Sequence, residues 1–68
     1  MKISNNILKI RKKLRLSQTE FVRLYNRAAP RELLITQPML SRYESGSVMP
    51  PADKYQKFLN LEKRASDS

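Results

Sequence analysis

Residues 36–46, with the sequence TQPMLSRYESG, predict one short helix whose beginning and end are both marked. Thr36 belongs to the residue types that cap helix N-termini, and Gly46, the only glycine of the chain, belongs to the type that ends helices. Between these two residues, Leu40 and Tyr43 share one helix face at the i, i+3 spacing. That face, which Glu44 extends, is suited to packing against a core.

The other face of this predicted helix is polar. It offers an amide, a guanidinium, hydroxyls and small apolar groups, which are the groups that contact base edges and phosphates in the DNA major groove. They belong to Gln37, Pro38, Ser41, Arg42 and Ser45. Taken alone, the pattern is equally compatible with an ordinary amphipathic surface helix, so the rest of the chain has to separate the two interpretations.

Composition restricts the class of function. The chain has 68 residues, the size of one small domain, and a net charge of +8 that favours a polyanionic partner, nucleic acid first. It contains no cysteine and no histidine, and its six acidic residues are scattered singly. These features remove disulfides, the commonest general base and the usual metal clusters. We therefore expect a protein that is not an enzyme and holds no metal or cofactor.

The apolar runs in the sequence are short. The longest is Leu33-Leu34-Ile35, far below the length that spans a membrane, and the N-terminal residues lack the apolar segment of a signal peptide. Together with the absence of cysteine, this favours a cytoplasmic protein without a membrane partner.

The pattern along the chain predicts an all-α domain over residues 1–64, with a frayed tail at 65–68. The first helix runs from Asn5 or Asn6 to Leu14. Its apolar residues recur at intervals of 4, 3 and 4 positions, which places Ile3, Ile7, Ile10 and Leu14 on one core-facing stripe. Off that stripe lies a positive patch formed by Lys9, Lys12 and Lys13.

The second helix begins at Ser17-Gln18-Thr19-Glu20, which has the spacing of a capping box, and runs to Asn26 or Arg27. Its predicted buried stripe consists of Phe21, Leu24 and Tyr25. The following segment, 30–34, is predicted as a short helical turn, because proline suits a first turn but interrupts a continuous helix. We expect one of its two leucines, Leu33 or Leu34, to cap the core.

The third helix covers residues 36–45. A loop with Val48, Met49 and two prolines follows, and the fourth helix runs from Pro51 or Ala52 to Arg64. The fourth helix is predicted to bury Tyr55, Phe58, Leu59, and either Leu61 or the aliphatic part of Glu62.

Residues 10–21 (IRKKLRLSQTEF) and 35–46 (ITQPMLSRYESG), with Pro50 four positions later, resemble the helix-turn-helix domain of the Cro and phage-repressor type, the XRE superfamily. The similarity extends over residues 5 to 60. It implies a compact four- to five-helix bundle of the lambda-repressor kind. It also implies a sequence-specific, double-stranded DNA-binding regulator of transcription, foremost a repressor, from a bacterium or phage, with helix 36–45 in the major groove.

The resemblance also implies roles for single residues. The implied base contacts come from Gln37, Pro38, Met39 and Arg42. Gln37 matches the family's glutamine that contacts a base, often an adenine. Gln18 matches a glutamine that contacts phosphate, and the predicted phosphate contacts are Gln18, Thr36, Ser41, Ser45, Ser47, Lys12 and Lys13. Arg11 and Glu44 match an internal ion pair.

One segment departs from the family pattern. Where the family has a tight turn containing glycine, this chain has about eight extra residues without glycine, Ala28 to Ile35. A surface insertion of this length has a modest entropic cost. The sequence leaves open the angle between the second and third helices.

We expect the protein to act on DNA as a two-fold homodimer on a palindromic operator, because one recognition helix contacts too few base pairs to define a site. The predicted dimer contact is formed by Val48 and Met49, with apolar atoms of the two following prolines.

Two other classes of function remain open. A helix-turn-helix module that binds a protein, such as an antitoxin or anti-repressor, would dock through Val48 and Met49 or through the two leucines of the insertion. An RNA-binding domain is disfavoured, because the three tyrosines are predicted to lie in the core or at its rim and not to stack on bases.

Overall fold

The computed structural model describes the backbone of residues 3–67 and the side-chain surroundings of residues 5–64. Over this range the chain forms helices only, which confirms the predicted all-α bundle. The elements are α1 (Ile3–Lys13), α2 (Gln18–Ala28), one turn of 3-10 helix (Arg31–Leu33), α3 (Gln37–Ser45) and α4 (Ala52–Asp67). No helix in the described part of the chain is long and apolar enough to cross a membrane.

The core is built around Phe58 of α4. Its ring lies 5.5 Å from that of Phe21, 4.7 Å from that of Tyr25 and 6.4 Å from that of Tyr43, measured between centroids. Rings at these separations contribute both buried area and favourable aromatic contacts. The buried apolar residues are Ile7, Ile10, Phe21, Tyr25, Ile35, Leu40, Tyr43, Phe58 and Leu61. Packed against them, and partly buried, are Leu14, Leu16, Val22, Leu24, Ala29, Met39, Tyr55 and Leu59. The predicted stripes therefore face the core, although Leu24, Tyr55 and Leu59, which were predicted to be buried, are only partly buried. The side chain of Ile3 lies outside the described residues.

Local hydrogen bonds fix the starts of α2 and α3. The Glu20 N–H donates to Ser17 Oγ (3.1 Å) and the Ser17 N–H donates to the Glu20 carboxylate (2.9 Å), so the predicted capping box is formed. The bond from the Ser17 N–H is the main reason why the pKa of Glu20 is lowered. At α3, Thr36 Oγ1 accepts from the Met39 N–H (3.4 Å). Gly46 ends the helix in the left-handed conformation, with φ of 83°.

The end of α1 uses the same left-handed conformation without a glycine. Arg15 has a φ of 59°. Its N–H donates to the Lys12 carbonyl (3.0 Å) and the next N–H, that of Leu16, donates to the Arg11 carbonyl (3.3 Å). These two bonds form a Schellman motif, in which a residue with a Cβ carries a steric cost that glycine avoids.

The insertion between α2 and α3 is held by side chains of α2. Tyr25 Oη donates to the Leu33 carbonyl (2.8 Å), and the Asn26 amide bonds to both the N–H and the carbonyl of Ile35, each at 2.9 Å. The expectation that Leu33 or Leu34 caps the core was wrong. Ile35 is the core residue of this segment and is 3% exposed, whereas Leu34 is 44% exposed and Leu33, although half-buried, is not among the residues packed against the core. The bonds to Asn26 fix the backbone of Ile35 beside the core, which explains the difference. The predicted turn within residues 30–34 is confirmed.

Two details of the C-terminal half differ from the sequence prediction. Helix α4 continues to Asp67, three residues past the predicted end at Arg64, and Ser68 lies outside the described residues. Pro50 is buried and only Pro51 is exposed, so the two prolines do not both add apolar surface to the loop.

Candidate nucleic-acid interface

Helix α3 turns its polar face to solvent, as its spacing predicts. The exposed residues of this face are Gln37, Pro38, Ser41, Arg42 and Ser45, while Leu40 and Tyr43 are buried on the opposite side. Met39 is half-buried and packs against the core, so only part of its side chain is available to a ligand.

Beneath this face, a partly buried ion pair joins α1 to the end of α3. Arg11 Nε donates to Glu44 Oε2 (2.6 Å) and Arg11 Nη2 donates to Glu44 Oε1 (3.1 Å), which is the predicted internal pair. The two side chains are 17% and 7% exposed. Arg11 Nη1 donates to the Leu16 carbonyl (3.0 Å), so the Schellman motif at the end of α1 also positions the guanidinium. Such a two-point contact fixes both groups in orientation as well as in distance.

Two glutamines extend the pair to the surface. Gln18 Nε2 donates to Glu44 Oε1 (2.8 Å), and Gln18 Oε1 accepts from Gln37 Nε2 (2.5 Å). A carboxylate only accepts hydrogen bonds, so Gln18 has to turn its NH₂ group toward Glu44 and its carbonyl toward Gln37. Gln37 then has to donate to Gln18, which leaves it one N–H and its carbonyl oxygen for a ligand. A donor beside an acceptor matches N7 and the N6 amino group of adenine.

The insertion does not separate the N-terminal ends of α2 and α3. Gln18 is the first residue of α2 and Gln37 the first residue of α3, so their hydrogen bond brings the N-termini of the two helices together. The longer connection between the helices is accommodated by the bonds from Asn26 and does not separate them. Two adjacent helix N-termini place free N–H groups and the positive ends of two helix dipoles on one surface.

Hydroxyl groups surround the C-terminal end of α3. Ser45 Oγ donates to the Arg42 carbonyl (3.1 Å) and lies 2.9 Å from Ser47 Oγ. Both serines are exposed on either side of Gly46. Thr36, at the other end of the helix, is also exposed, but its hydroxyl oxygen already accepts the capping bond from Met39.

The predicted phosphate-binding lysines differ in their surroundings. Lys13 Nζ lies 3.7 Å from a Glu62 carboxylate oxygen, in an ion pair whose side chains are 59% and 38% exposed. Lys12 is exposed and has no ion-pair partner among the residues whose side chains are described. An exposed pair is weak, so Lys13 can exchange Glu62 for another anion, but Lys12 needs no exchange.

The loop after α3 exposes apolar side chains. Val48 and Met49 are 46% and 72% exposed, so two consecutive apolar side chains face solvent here. The Val48 N–H donates to the Arg42 carbonyl (3.4 Å), so the loop stays close to the end of α3.

Sequence reasoning found the ion pair and the polar face but missed the two contacts of Gln18, for which the linear sequence holds no local signal. No family model, curated protein or solved structure matches this chain. In the part of the chain that the structure describes, no cluster of three or more potential metal ligands occurs.

Proposed function

We propose that this protein is a sequence-specific, double-stranded DNA-binding regulator of transcription whose helix α3 enters the major groove. The observation that carries the proposal is the placement of Gln37. It is exposed at the N-terminus of α3 and is oriented by Gln18 and, through Gln18, by the partly buried Glu44 carboxylate. A side chain that discriminates between bases has to be held in one orientation before binding, because a loosely held group fits several base edges.

The surroundings of Gln37 suit a polyanion. The adjacent N-termini of α2 and α3 offer N–H groups to phosphate. Arg42 and Lys12, two of the predicted contacts, are exposed cations. The net charge of +8 adds long-range attraction. Gln18 retains one free N–H for phosphate, so its main effect in this proposal is the orientation of Gln37.

We infer that the protein acts on DNA as a homodimer. The exposed Val48 and Met49 provide an apolar contact between two copies bound to the half-sites of a palindromic operator. Action as a repressor and a bacterial or phage origin follow from the resemblance to Cro and phage repressors, and the proposed location of such a regulator is the cytoplasm.

A second candidate function is a helix-turn-helix module that binds a protein, such as an antitoxin or anti-repressor. The exposure of Val48, Met49 and Leu34 favours it, because an apolar surface of this kind suits a protein partner. RNA binding by base stacking is disfavoured, since Tyr25 and Tyr43 are buried.

Selection of binding sites from random duplex DNA at two salt concentrations tests the proposal. We expect an enriched motif with inverted symmetry, and an affinity that falls with salt by a slope of about −0.9 in log K against log salt for each phosphate neutralised. Arg42→Glu, a charge reversal at an exposed position of α3, tests whether binding occurs through this helix. It should keep the fold and weaken DNA binding. Affinity that is independent of salt, with no enriched motif, would contradict the proposal and favour the protein-binding module.

A further inference from the structure

A groove lies between the C-terminal halves of α2 and α4, away from the candidate nucleic-acid interface. It has two lobes of about 430 and 510 Å³, which share Ala28, Leu61 and Arg64 in their lining. Leu24 completes the apolar floor. We call this surface, lined by Leu24, Ala28, Leu61 and the cations around them, the α2–α4 groove.

The rim of the α2–α4 groove is basic. Its cations are Arg27, Lys57, Lys63 and Arg64. The two ion pairs found among residues 5–64 are Arg11–Glu44 and Lys13–Glu62, so no rim cation pairs with a carboxylate in that range. Four like charges around an apolar floor repel one another. An acidic ligand with an apolar face would reduce this repulsion and would also remove the apolar floor from water.

We propose that the α2–α4 groove docks an acidic amphipathic helix of a partner protein. Apolar side chains of that helix cover the floor, and its carboxylates pair with the rim cations. The two adjoining lobes suit a helix because residues i and i+4 project side by side, about 5–6 Å apart, and can fill neighbouring lobes.

Two other occupants fit this surface less well. A second copy of this chain has the same charge of +8 and would bring further cations to the rim. DNA would satisfy the cations but leave the apolar floor uncovered. The groove is also displaced from the glutamine contact, since Gln18 and Ala28 stand at opposite ends of α2, about 15 Å apart by the helical rise.

Two synthetic helical peptides with the same leucine stripe test the proposal, one flanked by glutamates and the other by lysines. Each is titrated into the ¹⁵N-labelled full chain while amide chemical shifts are recorded. We expect the glutamate peptide alone to shift the amides of Leu24, Ala28 and Leu61. Arg64→Glu should weaken this binding about tenfold, whereas Lys9→Glu, the same charge reversal on an exposed residue of α1, should have an effect of less than about twofold.

A variant that fills the groove gives an independent test. Ala28→Trp at the exposed end of α2 should abolish binding of the glutamate peptide while far-UV circular dichroism stays unchanged. If Arg64→Glu unfolds the chain, Lys63→Glu takes its place and should weaken peptide binding about tenfold. The proposal is overturned if the two peptides bind alike, if neither binds, or if the shifts lie outside the groove. It is also overturned if random duplex DNA shifts the groove amides and Arg64→Glu weakens DNA binding, which would make the groove a DNA surface.

Discussion

Breaking the Arg11–Glu44 pair, by replacing either partner with alanine, is expected to cost about 3 kcal/mol of folding free energy. Glu44 accepts three hydrogen bonds, two from Arg11 and one from Gln18, and its side chain is 7% exposed. In Glu44→Ala the guanidinium loses two of its three bonds inside the domain. Removal of one partner from a buried pair costs about 3–5 kcal/mol. The lower end applies here, because Arg11 keeps its bond to the Leu16 carbonyl and some contact with water.

That cost is large for this chain. At about 0.05–0.15 kcal/mol per residue, a domain of 68 residues has a total stability of roughly 3–10 kcal/mol. A loss of about 3 kcal/mol lowers the Tm of so small a domain by roughly 12–24 °C. Arg11→Ala and Glu44→Ala are therefore expected to be strongly destabilised or partly unfolded at room temperature.

Thermal and urea unfolding of Arg11→Ala, Glu44→Ala and the double variant Arg11→Ala/Glu44→Ala measures the coupling free energy of the pair. A second double variant tests whether the cost comes from the stranded charge. The double substitution Arg11→Met with Glu44→Met leaves no stranded charge and should be more stable than either single alanine variant. The matched control is Lys13→Ala, which breaks the exposed pair with Glu62 and should cost less than about 1 kcal/mol. Melting within a degree of the unsubstituted chain for both single variants would refute the reasoning, as would effects in Arg11→Ala/Glu44→Ala that simply add.

Three further predictions concern backbone strain, pH and the insertion. Arg15→Gly should increase the free energy of unfolding by about 1 kcal/mol and so raise the urea midpoint, because glycine adopts the left-handed conformation without the Cβ clash. An unchanged or lower midpoint would show that Arg15 is not strained. Burial, and then the neighbouring Tyr43, raises the pKa of Tyr25 to about 12. Because an unfolded tyrosine ionises near pH 10, stability should fall as pH rises from about 10 toward 12, and this slope should be smaller in Tyr25→Phe than in the original chain. Replacement of residues 28–34 by a short turn containing glycine should give a chain that folds but melts earlier, since Tyr25 loses its acceptor at Leu33. An unfolded product would show that residues 28–34 are required for the core to form.

Features held by local bonds could be predicted from the sequence. The capping box at Ser17, the cap at Thr36 and the stop at Gly46 each depend on partners within a few residues, so residue type and spacing are sufficient. The buried stripes follow from the helical period for the same reason. The ion pair of Arg11 with Glu44 was available only through a resemblance, because its partners are far apart in the chain.

Features that depend on tertiary contacts or on strain could not be predicted. The sequence does not show that Asn26 holds Ile35, because these bonds depend on the path of the chain between two residues nine positions apart. Two adjacent leucines, by contrast, predict contact with the core from residue type alone. Arg15 in the left-handed conformation has no signal, because that position usually holds glycine. The contacts that orient Gln37 also required the relative placement of α2 and α3.

The central claim, that Gln37 of α3 contacts bases, is tested most directly by selecting duplex sites with the unsubstituted chain, Gln37→Ala and Lys12→Ala at one salt concentration. Gln37→Ala should lose its preference at one position per half-site and cost about 1–3 kcal/mol on the best site. Lys12→Ala should weaken binding to all sequences alike and leave the motif intact. If Gln37→Ala selects the same motif as the unsubstituted chain, α3 does not contact bases in the way proposed.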